Sequence, residues 1–356
     1  MKIGVLTFHF VYNYGAMLQA YALSHYLNGM KGTLCEVIDY RPRAIDSLYH
    51  PDWRDLCSHP GTVLRNGIRK KKSQADFTEF ESFSDSCFRL SKRIKNDAEF
   101  KSVLDQYDVV FVGSDQVWNP MITGYDKNYL LWNTKEGLRK FSYAASIGSN
   151  KVDEKWRKIL EILSEFEKIS VRERSAYDLV KELVPGKDVW NIADPVFLFC
   201  ADRWRKIEKK VDGISGYLLY YSLQKSEELE EKALEISKRQ GLKIVSVHPL
   251  YKNGVGECRC NIGPAQFLWL IDHAEYVCTD SFHATAFSAI LSRRTIVQYD
   301  TQKGNRIRSL LGMLGERPEE DNGEISTYSF QYITSELEVI RCKGEEFIRA
   351  CLGGKV

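Results

Sequence analysis

Short apolar runs alternate with helical patterns along nearly the whole chain, and that alternation limits it to very few folds. Residues 3–8, 35–39, 108–112, 141–148, 169–171 and 189–192 read as strands. Helical spacing falls on residues 15–27, 76–86, 97–105, 153–167 and the stretch following Arg172. A second series begins with strands at 217–221, 243–247, 276–278 and 295–299. Helices at 226–240, 264–272 and 284–291, and another from about residue 305, separate or follow them. Such alternation predicts α/β domains with parallel, doubly wound sheets.

A chain of 356 residues exceeds one ordinary hydrophobic core, so two domains are expected. The reading gives a Rossmann-like domain over 1–200, a second over 214–330, and a C-terminal helix over 331–356 that packs back toward the first. Two such domains facing each other across a cleft make a GT-B-like architecture, and fold alone does not give function.

Composition excludes several classes. A net charge of +2 gives no general reason to expect nucleic acid. The nine cysteines include no CxxC pair, and Cys258-Arg259-Cys260 lacks a second ligand pair, so no metal site is expected. Thiols without a disulfide framework suit a reducing compartment. Residues 3–30 carry no charge, but Asn13, Gln19, Asn28 and several glycines interrupt them, so neither a signal peptide nor a membrane span is read there. The expected location is the cytoplasm. The basic run 65–72 fits a solvated face or a peripheral contact with anionic lipid at the inner face of the membrane.

Several strand ends carry chemistry. After the strand at 276–278 come the capping residues Thr279, Asp280 and Ser281, then His283 at a helix start, where free N–H groups favour an anion. Gly15 opens the first helix without a side chain, which admits close approach to the backbone. No G-x-G-x-x-G follows the first strand, so the dinucleotide fingerprint is missing. Gly113, Ser114, Asp115 and Gln116 follow the strand at 108–112 and suit a ligand-lining turn, a helix cap at Ser114 or Asp115, or both. Arg172 places a cation beside a helix N-terminus, which is unfavourable unless an anionic ligand or a carboxylate such as Glu173 compensates.

Taken together, these stretches resemble the polysaccharide pyruvyl transferase family. The resemblance is carried by residues 8–23, by Val112-Gly113-Ser114-Asp115-Gln116-Val117-Trp118-Asn119, by Ser170-Val171-Arg172-Glu173, by Ala193-Asp194-Pro195 and by residues 279–287. It implies a GT-B-like transferase that moves the pyruvate unit of phosphoenolpyruvate onto a sugar as a ketal and releases phosphate. The sugar would belong to a capsule, exopolysaccharide or other cell-envelope glycan, presented on a nucleotide or a lipid. The donor-binding residues implied are Arg172 and His283, with Arg306 as the second-domain arginine and Arg308 two residues beyond it. Ser281 stands where some members have a basic residue. Asn13, Gly15, Gly113, Ser114, Gln116, Asp280 and Ser281 complete the candidate substrate contacts.

Phosphoenolpyruvate carries a carboxylate and a phosphate, both matched by the planar arginine fork. Addition at its C2 needs a proton at C3, which a histidine can give, and a carboxylate, Asp115 or Asp280, to take the hydroxyl proton. No cofactor is expected. The competing readings are a GT-B glycosyltransferase using a nucleotide sugar and a non-catalytic glycan-binding relative.

Overall fold

The computed structural model describes residues 1–49, 77–148, 152–224, 226–248, 255–299, 305–316 and 325–353, and the basic run 65–72 lies outside them. Strands β1 (Lys2–Leu6), β2 (Leu34–Val37), β3 (Val109–Val112), β4 (Arg139–Ser142), β5 (Lys168–Val171) and β6 (Asp188–Asn191) form a parallel sheet in the order β2-β1-β3-β4-β5-β6. Helices cover it, which is why a run such as Val109–Val112 can be apolar and buried at every position. Strands β7 (Tyr217–Tyr221), β8 (Lys243–Val247), β9 (Glu257–Arg259), β10 (Tyr276–Thr279), β11 (Arg294–Gln298) and β12 (Ile325–Ser329) form the second sheet, ordered β12-β11-β10-β7-β8-β9.

Each sheet reverses its winding once, between β1 and β3 in the first and between β7 and β10 in the second. Crevices outside the carboxyl ends at such points are where open α/β sheets bind ligands. The turns after β3 and β10, which carry Ser114 and His283, leave from those positions.

Several local expectations need correction. Strand β12 runs antiparallel to β11, because a sheet edge accepts either direction. Its Ser326, Thr327 and Ser329 gave no apolar run to read. Strand β4 ends at Ser142 because Ala144 takes a left-handed φ of 50°, and beyond it only an isolated parallel bridge between Ala145 and Val171 continues the pairing. Residues 153–167 form an α-helix only over Glu154–Leu160 and then tighten into a 3-10 turn, Glu161–Glu165, which still points Leu163 inward. No helix starts at Ser114 or Asp115. The helix Pro120–Thr123 starts instead behind Asn119, whose side chain accepts from the Met121 N–H at 3.0 Å. Among the described residues, no helix is long and apolar enough to cross a membrane.

One apolar core runs through both sheets. Tyr14, at the start of the helix Tyr14–Asn28, stacks on Phe267 of the helix Pro264–Asp272 with ring centres 4.3 Å apart. Trp204 meets Phe287 edge-on at 4.9 Å. The helix Thr334–Leu352 returns to the first sheet's side, where Phe347 is fully buried against Trp190 at 5.5 Å and Tyr143 at 6.1 Å. Arg139 Nη2 donates to the Cys351 carbonyl at 2.7 Å. Truncating a buried aromatic leaves a cavity as well as losing its transfer energy. Phe347→Ala is therefore expected to cost about 3–5 kcal/mol, read as a lower midpoint in urea. A loss under about 1 kcal/mol would mean that this helix contributes little to the core.

Candidate active site

The site is built around a carboxylate that no water reaches. Asp194 follows β6 and caps the 3-10 turn Pro195–Leu198, accepting from the Val196 N–H at 3.2 Å through Oδ1. Its Oδ2 accepts from the Ser114 hydroxyl at 2.7 Å and from Arg172 Nη1 at 2.8 Å. His283 Nε2, from the other domain, lies 3.4 Å from the same oxygen, an ion-pair distance with no aligned hydrogen bond. Burial alone would raise the Asp194 pKa. The charges of His283 and Arg172, with the Ser114 hydrogen bond, more than offset this and hold it well below the usual carboxylate range.

Arg172 is itself 2% exposed at the exit of β5. Besides Asp194, it faces Glu173 at 3.5 Å, and its guanidinium lies 4.3 Å from the centre of the Phe282 ring. Glu173 in turn accepts from the Ser146 hydroxyl. The helix-dipole conflict noted in the sequence is thus answered by two carboxylates. Three buried atoms of this cluster have no hydrogen-bond partner: Nη2 of Arg172, Oε2 of Glu173 and Nε2 of His283.

The second domain brings two residues to this point. His283 sits in the first turn of the helix Phe282–Ile290, whose cap is Ser281, accepting from the Ala284 N–H at 3.4 Å. The imidazole lies directly on Gly15, where any Cβ would overlap the ring. Arg306, in the helix Asn305–Met313, is partly buried. Burial, and after it the charge of Arg172, push Arg306 below the usual arginine range. The two guanidinia therefore feel each other across the cleft, with Asp115 and Glu173 as the nearby negative charges. Arg308 goes elsewhere, 5.3 Å over the Tyr299 ring.

The other candidates occupy stated places. Asn13 caps the helix Tyr14–Asn28 by accepting from the Ala16 N–H at 3.1 Å. Gly113 lies against Thr7, leaving no room for a Cβ. Asp115 holds a left-handed φ of 73°, a conformation that Asp tolerates better than most residues. Gln116 accepts from Asn119 Nδ2 at 2.8 Å. Asp280 turns to the loop after β7, accepting from the N–H groups of Leu223 at 2.6 Å and Gln224 at 2.9 Å and from the Ser222 hydroxyl at 2.9 Å. From the sequence, Asp194 belongs only to Ala193-Asp194-Pro195, one of the stretches that carry the family resemblance, and no site role attaches to it there.

Among the described residues, Glu208, Asp272 and His273 bring ligand-type atoms within 4.8 Å of one another. Asp272 is already held by Arg205 at 2.8 Å and Arg293 at 3.1 Å, and those cations would repel a metal ion.

A family model described as polysaccharide pyruvyl transferase matches residues 13–297, well over half of the chain. The chain belongs to the polysaccharide pyruvyl transferase family. This is an enzyme family, and membership implies a pyruvate donor and a sugar acceptor. No curated protein sequence matches the chain. Among solved structures, it is similar to UDP-GlcNAc 2-epimerase from Methanocaldococcus jannaschii at 13% identity, covering 97% of this chain and 100% of that one with a TM-score of 0.55. It is also similar to UDP-GlcNAc 2-epimerase from Neisseria meningitidis bound to UDP-GlcNAc, at 12% identity, covering 100% and 92% with a TM-score of 0.52. At these identities the likeness is one of fold, and the fold is GT-B-like.

Two outcomes follow for this pyruvyl transferase family member. Asp194→Asn leaves Arg172 buried without its closest counter-charge, with an expected loss of about 3–5 kcal/mol. A depressed carboxylate pKa stabilises the fold above the unfolded value of about 3.9 and loses that contribution as pH falls. The stability gap between wild type and variant in urea melts should accordingly narrow as pH is lowered below about 4. A gap independent of pH would remove Asp194 as the ionised hub. Gly15→Ala improves helix propensity by about 1 kcal/mol but displaces the His283 ring. Turnover should fall by at least about tenfold where the displaced imidazole takes part in the reaction, while the melting temperature stays near that of wild type. Full activity in this variant would show that the Gly15–His283 contact does not matter.

Proposed function

We infer that the cleft binds phosphoenolpyruvate and transfers its pyruvate unit to a pair of sugar hydroxyls as a cyclic ketal, with release of phosphate. The observation that carries this reading is the convergence of Arg172 and Arg306 from opposite domains, with Arg172 Nη2 buried and unpaired. The charges of the two guanidinia oppose each other there, and an unpaired buried donor adds about 1–3 kcal/mol of cost. A molecule with both a carboxylate and a phosphate turns that repulsion into two charge-assisted pairings.

The chemistry follows from the side chains that meet there. His283, held by Gly15 on one side and facing Asp194 on the other, gives a proton to C3 of the enol. The carbon at C2 becomes electrophilic and forms a bond to one acceptor hydroxyl, whose proton passes to Asp115. The bond from C2 to the phosphate oxygen then breaks, phosphate leaves with the electron pair, and the second hydroxyl adds to C2 as its proton passes to the now neutral His283. Arg172 and Arg306 hold the charge that develops on that phosphate. No cofactor is needed. In this reading the acceptor is a nucleotide- or lipid-linked precursor of a capsule, exopolysaccharide or other cell-envelope glycan, and the reaction takes place in the cytoplasm.

Phosphoenolpyruvate should raise the melting temperature of the protein, and a nucleoside diphosphate should not. The reverse result would favour a nucleotide-sugar glycosyltransferase and sink the pyruvyl-transfer reading. Arg306→Ala should abolish the shift with phosphoenolpyruvate yet leave the ligand-free melting temperature unchanged or higher, because it removes a like charge facing Arg172. His283→Ala should lower the rate of phosphate release by about 10²–10⁴-fold. Phosphate release at the wild-type rate would take His283 off the catalytic list.

A further inference from the structure

The buried charges around Asp194 leave a donor and an acceptor on adjacent side chains unsatisfied. Arg172 and Glu173 are each 2% exposed, and Arg172 Nε lies 3.5 Å from Glu173 Oε1. A guanidinium and a carboxylate that meet along this edge ordinarily close a fork of two parallel N–H···O bonds. Here the fork stays open, because Nη2 of Arg172 and Oε2 of Glu173 both lack a hydrogen-bond partner. Each side chain has a second anchor. Arg172 Nη1 donates to Asp194 Oδ2 at 2.8 Å, and Glu173 Oε1 accepts from the Ser146 hydroxyl. Glu173 is also the cap residue of the helix Arg174–Leu183, yet its side chain makes no capping hydrogen bond.

An open donor and an open acceptor on one pair of side chains set a condition on their ligand. A group that satisfies both must accept from Nη2 and donate to Oε2. A fully ionised phosphate or carboxylate has no hydrogen to give, and it would leave Oε2 unpaired against a like charge. A phosphate that keeps one proton meets both needs through two of its oxygens. The surrounding charges agree with this. Arg172 and Arg306 stand with the carboxylates of Glu173, Asp194 and Asp115, and only a protonated His283 would bring the sum to zero. A field so nearly neutral gives no strong pull on the second proton of a phosphate, whose pKa in water is about 6.

We propose that Glu173 holds the donor's phosphate in its monoprotonated form, accepting the P–O–H hydrogen at Oε2 while Arg172 Nη2 donates to a second phosphate oxygen. The proposal rests on the pyruvyl-transfer reading for the identity of the donor. It also gives the retained proton a use. When the bond from C2 to the bridging oxygen breaks, the electron pair goes to that oxygen, and a phosphate already carrying a proton leaves as hydrogen phosphate. Without that proton it would leave as the trianion, a much stronger base and a poorer leaving group. Glu173 stays ionised throughout and gives up no proton.

Two probes separate the hydrogen from the charge. 3-Phosphonopropionate and 3-sulfopropionate both repeat the spacing between carboxylate and tetrahedral oxyanion found in phosphoenolpyruvate. At about pH 6 both head groups carry a single negative charge, but only the phosphonate has an O–H. Calorimetric titration of the wild-type protein should show the phosphonate bound at least about tenfold tighter, the size expected for one buried acceptor left unpaired. By about pH 9 the phosphonate has lost that hydrogen, and its advantage should disappear. In Glu173→Gln, whose amide can donate to an ionised oxygen, the sulfonate should bind as well as the phosphonate at about pH 6. Equal binding of the two in wild type, an advantage that persists at the higher pH, or one that survives in Glu173→Gln would each overturn the proposal. So would failure of the phosphonate to bind a protein whose melting temperature phosphoenolpyruvate raises. The wild-type titrations decide the matter even where Glu173→Gln does not fold. A wild-type melting temperature that phosphoenolpyruvate leaves unchanged would instead count against the pyruvyl-transfer reading, and the preference between the two probes is read separately from it.

Discussion

Asp194 joins the two domains at one buried oxygen. A carboxylate removed from water is costly unless charges and hydrogen bonds replace its hydration. Here Ser114 and Arg172 from the first domain supply the replacement, and His283 approaches from the second. The arrangement makes the position of His283 depend on groups at the ends of three strands of the other sheet. It also fixes Arg172, whose Nη1 meets Asp194 and whose Nε meets Glu173, while Nη2 is left without a partner. The charge of the guanidinium is thus mostly compensated while one of its donors stays unsatisfied.

The packing around this oxygen explains why the cleft is narrow. Gly15 lets the imidazole lie on the helix backbone, and the Tyr14–Phe267 stack beside it brings the two domains together through apolar contact. The helix Thr78–Cys87 adds a second bridge. Its Glu79 pairs with Lys209 at 2.8 Å, and Gly263 packs directly against Glu79 with no room for a Cβ. That helix also presents Glu81 and Asp85 to a cavity on the first domain.

Much of this was legible in the chain because parallel sheets covered on both faces leave a strong pattern. Val109–Val112 and Tyr217–Tyr221 are continuous apolar runs, and both proved to be buried strands. The strand-end residues Arg172 and His283 could be singled out because a cation or a histidine at a helix start conflicts with the simplest local reading. What stayed hidden depends on contacts between distant residues. Asp194 has two roles that the local sequence does not separate: one oxygen caps a turn, and only the fold shows what the other meets. Asp280 offered the same ambiguity, and the fold resolves it toward the loop at Ser222–Gln224. Strand β12 could not be seen because an edge strand with Ser326, Thr327 and Ser329 has no apolar run. The left-handed φ at Asp115 lies where no helix starts and that at Ala144 ends a strand, and neither residue announces such a turn as glycine would.

Around the Asp194 oxygen the unpaired buried atoms are of both signs, Nη2 of Arg172 and Oε2 of Glu173. At the ends of β1 and β2, by contrast, Arg41 and His9 are both held by Asp39. The hydrogen-bonded path from His9 through Thr7 and Ser114 to Asp194 ties the two groups of charges into one frame. Charges held in such a frame need not reorganise when a charged group arrives, and that is the condition under which buried dipoles and ions act most strongly on it.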